Sequence, residues 1–134
     1  MKLFCSTYDG FKNYINGKNL VCYGAGRMLQ EMETEIPTLN EFYRAIEVID
    51  GNVEKWGTKC NLYGTEITIK SLQEVLNNLN KESIIIITSG FLEEILPILE
   101  SALESDREVF AFPMVRGYER DSQFITTGKD LKLI

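Results

Sequence analysis

The chain has 134 residues, about one domain's worth and enough to bury a core without disulfides or metals. Fourteen Lys and Arg against twenty Asp and Glu leave a net charge of −6, so the chain lacks the basic footprint that nucleic-acid or anionic membrane partners require. Histidine is absent, which excludes Ser-His-Asp and Cys-His nucleophile systems and imidazole metal sites; no metal site is expected.

Residues 1–18 are polar and aromatic and read as an N-terminal helical or linker segment, with Tyr8, Phe11, Tyr14 and Ile15 at near-helical spacing between Gly10 and Gly17. Leu20-Val21-Cys22-Tyr23 is a compact apolar run stopped by Gly24 and predicts a buried strand. Met28, Leu29 and Met32 then share one face of a helix over 26–35, which Pro37 closes. Ala45–Ile49 predicts a second strand ending at Asp50-Gly51, and Thr65–Ile69 a short third one after Gly64. Ser71 and Glu74 form a capping box for a helix carrying Leu72, Val75, Leu76 and Leu79. Ile84–Ile87 has no alternation and predicts a strand buried on both faces, as in a parallel sheet. A helix over 90–103 follows, with Pro97 inside it as a kink, and Val109–Phe112 predicts a fifth strand. Residues 113–134 lose periodicity and read as a tail or docking segment.

Strands alternating with helices define the α/β class with a parallel sheet covered on both faces. The expected fold is a Rossmann-like doubly wound sheet of about five strands, in the order 3-2-1-4-5, over residues 19–112. No signal peptide opens the chain, and Ile84–Ile87, as long as any unbroken apolar run, is far short of a membrane span. Cys5, Cys22 and Cys60 are odd in number and form no CxxC pair, which reads as reduced thiols in a cytoplasmic protein.

The chemistry concentrates at Tyr23-Gly24-Ala25-Gly26-Arg27, between a predicted strand and a predicted helix. Gly24 permits the tight turn, Gly26 lets backbone approach a phosphate, and the helix start offers free N–H groups to an anion. Arg27 is placed to contact a phosphate oxygen or to point to solvent. Leu29 stands where the dinucleotide fingerprint has its third glycine, so the helix is expected to sit slightly off the sheet. Asp50 reads equally as a ribose acceptor, which the fingerprint expects about 20 residues on, and as half of a turn-forming Asp-Gly pair. Thr88 and Ser89 follow a central strand where ligands of open α/β sheets sit; they are candidate donors to a ligand, though helix capping is the favoured role. Glu93 and Glu94 fill the first turn of that helix and would repel a phosphate.

Tyr8 with Lys12 and Tyr14 with Lys18 match the catalytic spacing of short-chain dehydrogenases but precede the glycine turn, whereas that family's pair follows it; the matches read as chance. No cysteine has an adjacent histidine or a basic cluster that would lower its pKa, and Cys22 reads as core.

Tyr23-Gly24-Ala25-Gly26, Val48-Ile49-Asp50-Gly51-Asn52 with Lys55-Trp56-Gly57, and Leu62-Tyr63-Gly64 together resemble a recurrent bacterial Rossmann-like domain. Such domains are similar to the N-terminal nucleotide-sugar-binding domain of sialic-acid-type sugar acyltransferases and to the N-terminal cofactor-like domain of polysaccharide-biosynthesis epimerases and dehydratases. The likeness covers residues 19–112. It implies Gly24, Ala25, Gly26 and Arg27 as phosphate-side contacts, Asp50 as a ribose or uridine-side contact and Asn52 at the edge of the site. The chain departs from it at Leu29 and in lacking the histidine of the acyltransferase glycine loop. The catalytic β-helix of those enzymes is absent too, so the resemblance carries binding and not catalysis.

The leading expectation is therefore a non-catalytic nucleotide or nucleotide-sugar binding domain, accessory to a catalytic domain or protein of sugar and polysaccharide biosynthesis, with a nucleotide-sugar or NAD(P) as ligand. One alternative is a docking module with a decayed nucleotide site, which Leu29 favours and for which Arg116, Tyr118 and Arg120 would supply contacts. The other is an NAD-dependent oxidoreductase acting as a homo-oligomer, its base drawn from Tyr, Lys, Asp, Glu or Cys.

Overall fold

Each apolar run becomes a strand and each periodic segment a helix. The computed structural model describes residues 1–5, 7–112 and 131–133. In chain order it holds β1 (Lys2–Cys5), α1 (Tyr8–Ile15), β2 (Asn19–Tyr23), α2 (Arg27–Glu35) and β3 (Ala45–Ile49). There follow β4 (Lys59–Leu62), β5 (Thr65–Lys70), α3 (Leu72–Leu76), β6 (Ser83–Ile87), α4 (Leu92–Ala102), β7 (Glu108–Ala111) and β8 (Leu131–Leu133). Short 3₁₀ turns occupy Leu39–Glu41 and Val53–Lys55.

The described strands form one sheet in the order β4-β5-β3-β2-β6-β7-β1-β8. Every pairing is parallel except that of β4 with β5. The five expected strands are β2, β3, β5, β6 and β7, and they stand in the expected 3-2-1-4-5 order. Three further strands, β1, β4 and β8, widen the sheet beyond the expected five. Lys2–Cys5 is thus a sheet strand rather than part of a helical or linker segment: Leu3 and Phe4, both buried, pair with Val109 and Phe110. Of the expected tail 113–134, Leu131–Leu133 pairs with β1, while Arg116, Tyr118 and Arg120 lie outside the described residues.

Period-two alternation sends the central strands to two separate cores. Leu20 and Cys22 of β2, with Ile84 and Ile86 of β6, meet Phe11, Ile15, Leu29 and Met32 on one face. Val21, Tyr23, Ile85 and Ile87 meet Val75, Leu92, Ile95, Leu96 and Leu99 on the other. Helices α1 and α2 therefore cover one side and α3 and α4 the other, the doubly wound arrangement. All of Ser83–Ile87 is buried, as an uninterrupted isoleucine run requires. Cys22 is fully buried mid-strand and, like Cys60, is a free thiol. Ser71 caps α3 by accepting from the Glu74 N–H at 3.2 Å.

Candidate functional site

The strand order reverses around β2 and β6, whose carboxyl ends carry the turns into α2 and α4. Open α/β sheets place ligands in such crevices. Here the crevice is a cleft of about 500 Å³. Of the residues expected to bind, Gly24, Gly26, Arg27, Asp50, Asn52, Thr88 and Ser89 all line it. Ala25 does not; its part is played by its backbone N–H.

The two glycines have different duties. Gly24 adopts φ +124°, and a methyl group built on it would lie 2.5 Å from the Thr88 carbonyl oxygen. Its N–H extends the ladder to Ile49 O at 2.8 Å. Gly24 is thus fixed by the close passage of the β6 backbone. A methyl on Gly26 would meet only Lys55 Nζ, at 3.8 Å, so Gly26 borders open cleft. Gly26 is also the N-cap of α2; no side chain caps that helix, and no acidic residue occupies its first turn. Its first N–H groups and the positive end of its dipole are left for an anion.

Asp50 extends from β3 into this turn and is 15% exposed. Its Oδ2 accepts from the Ala25 N–H and its Oδ1 from the Asn52 N–H, both at 2.8 Å. Its backbone carbonyl accepts from Trp56 Nε1 at 2.6 Å. Asp50 is therefore the brace between the glycine turn and the 50–57 loop. Each carboxylate oxygen keeps acceptor capacity, so a ribose hydroxyl would add to this network rather than found it. Asn52 points its side-chain oxygen at the Glu54 N–H, 3.0 Å away, and so caps the short 3₁₀ turn. That turn carries Lys55, whose Nζ stands 3.9 Å from Asp50 Oδ2.

Thr88 and Ser89 serve the turns themselves. Thr88 is buried and donates through Oγ1 to the Gly24 carbonyl at 2.7 Å, locking the two turns together. Ser89 Oγ accepts from the Phe91 N–H at 3.2 Å, just before α4. Arg27 is 93% exposed and pairs with Glu31 at 3.5 Å, a solvated contact of little energetic weight. Leu29 is wholly buried in the core, so the side chain in the third-glycine position fills the layer beneath α2.

Several lining residues carry no motif. Glu94, Ile95 and Ile98 face the cleft from α4, and Phe91, 67% exposed, stands at its mouth. Burial, and secondarily the Asp50 carboxylate, push the Tyr23 phenol upward, so this wall residue is neutral at ordinary pH. The Lys-Trp-Gly step of the resemblance was the one sequence signal that pointed toward Lys55. The pairs Tyr8/Lys12 and Tyr14/Lys18 stand away from this cleft: Lys12 pairs with Asp9 at 3.2 Å, and Lys18 lies 4.2 Å from the Tyr14 ring centre. Among the described residues no acidic or thiol cluster is arranged to hold a metal, and no helix is long and apolar enough to cross a membrane.

The sheet order, the two helical layers and the crevice at the reversal define a Rossmann-like α/β domain. No family model and no curated protein matches the chain. Solved structures do match. Aspartate semialdehyde dehydrogenase II of Vibrio cholerae, complexed with ASA, superposes with a TM-score of 0.54 at 13% identity, over 88% of this chain and 42% of that one. The Rex-family repressor RSP in complex with β-NADH gives 0.51 at 15% identity, over 90% of this chain and 64% of that one. A probable aspartate-semialdehyde dehydrogenase of Pseudomonas aeruginosa gives 0.52 at 11% identity, over 72% and 28%. The chain spans less than two thirds of each, and at such identities the likeness shows the fold alone. None of these three is named as a sugar or polysaccharide protein.

Proposed function

We propose that this chain is a nucleotide-binding module that takes a ligand with a diphosphate and a ribose, either a nicotinamide dinucleotide or a nucleotide-sugar, and holds it without transforming it. The observation that carries this reading is the uncapped amino end of α2, opened by Gly26 and faced by Asp50 and Lys55 across the cleft. Backbone donors at a helix start, beside a carboxylate able to accept from a ribose, are the complement of that ligand half. The complex of RSP with β-NADH supports the dinucleotide. The sequence likeness to surface-polysaccharide modules supports the nucleotide-sugar, and with it a role as an accessory domain to a sugar-pathway catalyst in the reducing cytoplasm.

The test is a thermal-shift screen with NADH, NADPH and UDP-, GDP- and CDP-sugars, followed by calorimetry on any that shift the midpoint. Ligand at a hundred times its dissociation constant adds about 2.7 kcal/mol, a readily measured shift. Gly26→Val is the matched control: its side chain enters open cleft, so the variant melts like wild type and binds nothing. Wild-type protein that ignores every nucleotide overturns the reading in favour of a protein-docking module. A Gly26→Val variant that binds as wild type moves the site elsewhere.

A further inference from the structure

The charges around the cleft are few and balanced. Arg27 and Lys55 supply the cations, Asp50 and Glu94 the anions. In a chain of net charge −6, the overall field opposes an anionic ligand, so a locally placed cation beside the bare helix start counts for more. Arg27 is poorly suited: it is 93% exposed and tethered outward to Glu31. Lys55 differs on each count. It is 39% exposed, and its Nζ stands 3.8 Å from where a methyl on Gly26 would project, directly above the bare backbone of the turn. Its own carboxylate contact, to Asp50 Oδ2, is long at 3.9 Å, while that oxygen is already held by the Ala25 N–H at 2.8 Å.

The placement of Lys55 is built by its loop. Asn52 caps the 3₁₀ turn, Trp56 Nε1 anchors to the Asp50 carbonyl, and Thr58 Oγ1 donates to the Lys55 carbonyl at 2.6 Å. The loop carrying Lys55 is therefore tied to the aspartate that braces the glycine turn, through the Asn52 N–H before it and the Trp56 side chain after it.

We infer that Lys55 is the charge-selecting residue of this site: it pairs loosely with Asp50 when no anion is present and grips the diphosphate over Gly26 when one is. This rests on the nucleotide-binding reading and adds to it that the ligand is recognised by phosphate charge at a single lysine. A neutral nucleoside would be refused that term. An ammonium suits the duty, because a compact cation on a flexible stem can leave one oxygen for another.

The test uses inorganic pyrophosphate, ADP and adenosine as probes, with calorimetry on wild type, Lys55→Met and Lys55→Arg. The methionine keeps the apolar stem and removes the charge. Loss of one charge-assisted contact predicts a drop of at least about tenfold in affinity for pyrophosphate and ADP. Adenosine affinity stays at the wild-type level, and Lys55→Arg keeps most of the pyrophosphate affinity. The salt dependence of pyrophosphate binding flattens in Lys55→Met, because a screened attraction is gone. If wild type binds these probes and Lys55→Met binds pyrophosphate equally well, the lysine role is overturned while the site stands. If Lys55→Met loses adenosine as heavily as ADP, Lys55 shapes the loop rather than reading charge, and the inference is overturned again. If wild type binds none of the three yet is shifted by a nucleotide of the screen, this inference is overturned and the reading beneath it stands; if no nucleotide binds either, both fall.

Discussion

The turn from β2 into α2 and the turn from β6 into α4 leave neighbouring central strands on the same edge of the sheet, and they finish in opposite ways. The first ends in bare backbone: Gly24, Ala25 and Gly26, with no capping side chain and no acid in the first helical turn. The second has Phe91 at its N-cap, likewise without a capping side chain, but then sets Glu93 and Glu94 in the first helical turn. Both helix starts carry the same partial positive charge. In α4 the two glutamates already answer that charge, and an incoming phosphate would meet them first. In α2 it is unanswered. Composition of one helical turn thus gives the cleft a polarity, with an anion-accepting end at Gly26 and an apolar, acid-bordered end at Phe91, Ile95 and Ile98.

The strongest way to break this comparison is at the glycine that both turns share as a neighbour. Gly24→Ala would drive a methyl into the Thr88 carbonyl and force an alanine to a positive φ, so we expect a loss of roughly 3 kcal/mol or more, or no folded protein, by urea denaturation. Its contrast with Gly26→Val is the point: one glycine belongs to the fold and the other to the ligand. A Gly24→Ala variant of wild-type stability would show that the turns do not pack as described.

Thr88→Val removes the buried hydroxyl that joins the turns while keeping side-chain shape. It leaves the Gly24 carbonyl without that donor, and we expect a loss of about 1–2 kcal/mol in the same denaturation measurement. A smaller effect sharpens the difference between the ends. Phe91→Ala touches an exposed ring, so its stability should stay within about 0.5 kcal/mol of wild type. By calorimetry it should weaken the preferred nucleotide and leave inorganic pyrophosphate untouched. Equal weakening of both would erase the assignment of separate ends.

The sequence made the centre of the sheet legible, because β2, β3, β6 and β7 are apolar runs bounded by stops. It did not reveal β1 or β4. In β1 only Leu3 and Phe4 precede a chain of polar residues, and partners on a distant strand decide its state. In β4, Lys59-Cys60-Asn61-Leu62 is an edge strand that buries Leu62 alone, too little pattern to distinguish it from a loop. The site divided in the same way. Gly24, Gly26 and Asp50 were visible because a strand-turn-helix motif needs those residue types at those places. Thr88 was singled out as a ligand donor or cap, yet its hydroxyl partner is a carbonyl on another turn, which no local pattern encodes. Lys55 depends on a loop whose path is set by Asn52, Trp56 and Thr58 together. Leu29, where the fingerprint has its third glycine, is buried in the layer between α2 and the sheet.

The position of β1 bears on how this protein is made. Its neighbours in the sheet are β7 and β8, so Lys2 finds its partner in Glu108 and Leu3 in both Val109 and Leu131. On a ribosome adding 5–20 residues per second, the strand waits about 5–20 s between its own synthesis and that of β7. During that interval β2, β3, β5 and β6 can assemble, while Leu3 and Phe4 lack the β7 edge they pair with. The step between β1 and β7 therefore joins Lys2 to Glu108, a long-range contact of the kind that slows folding and keeps a short apolar strand exposed to chaperones until late.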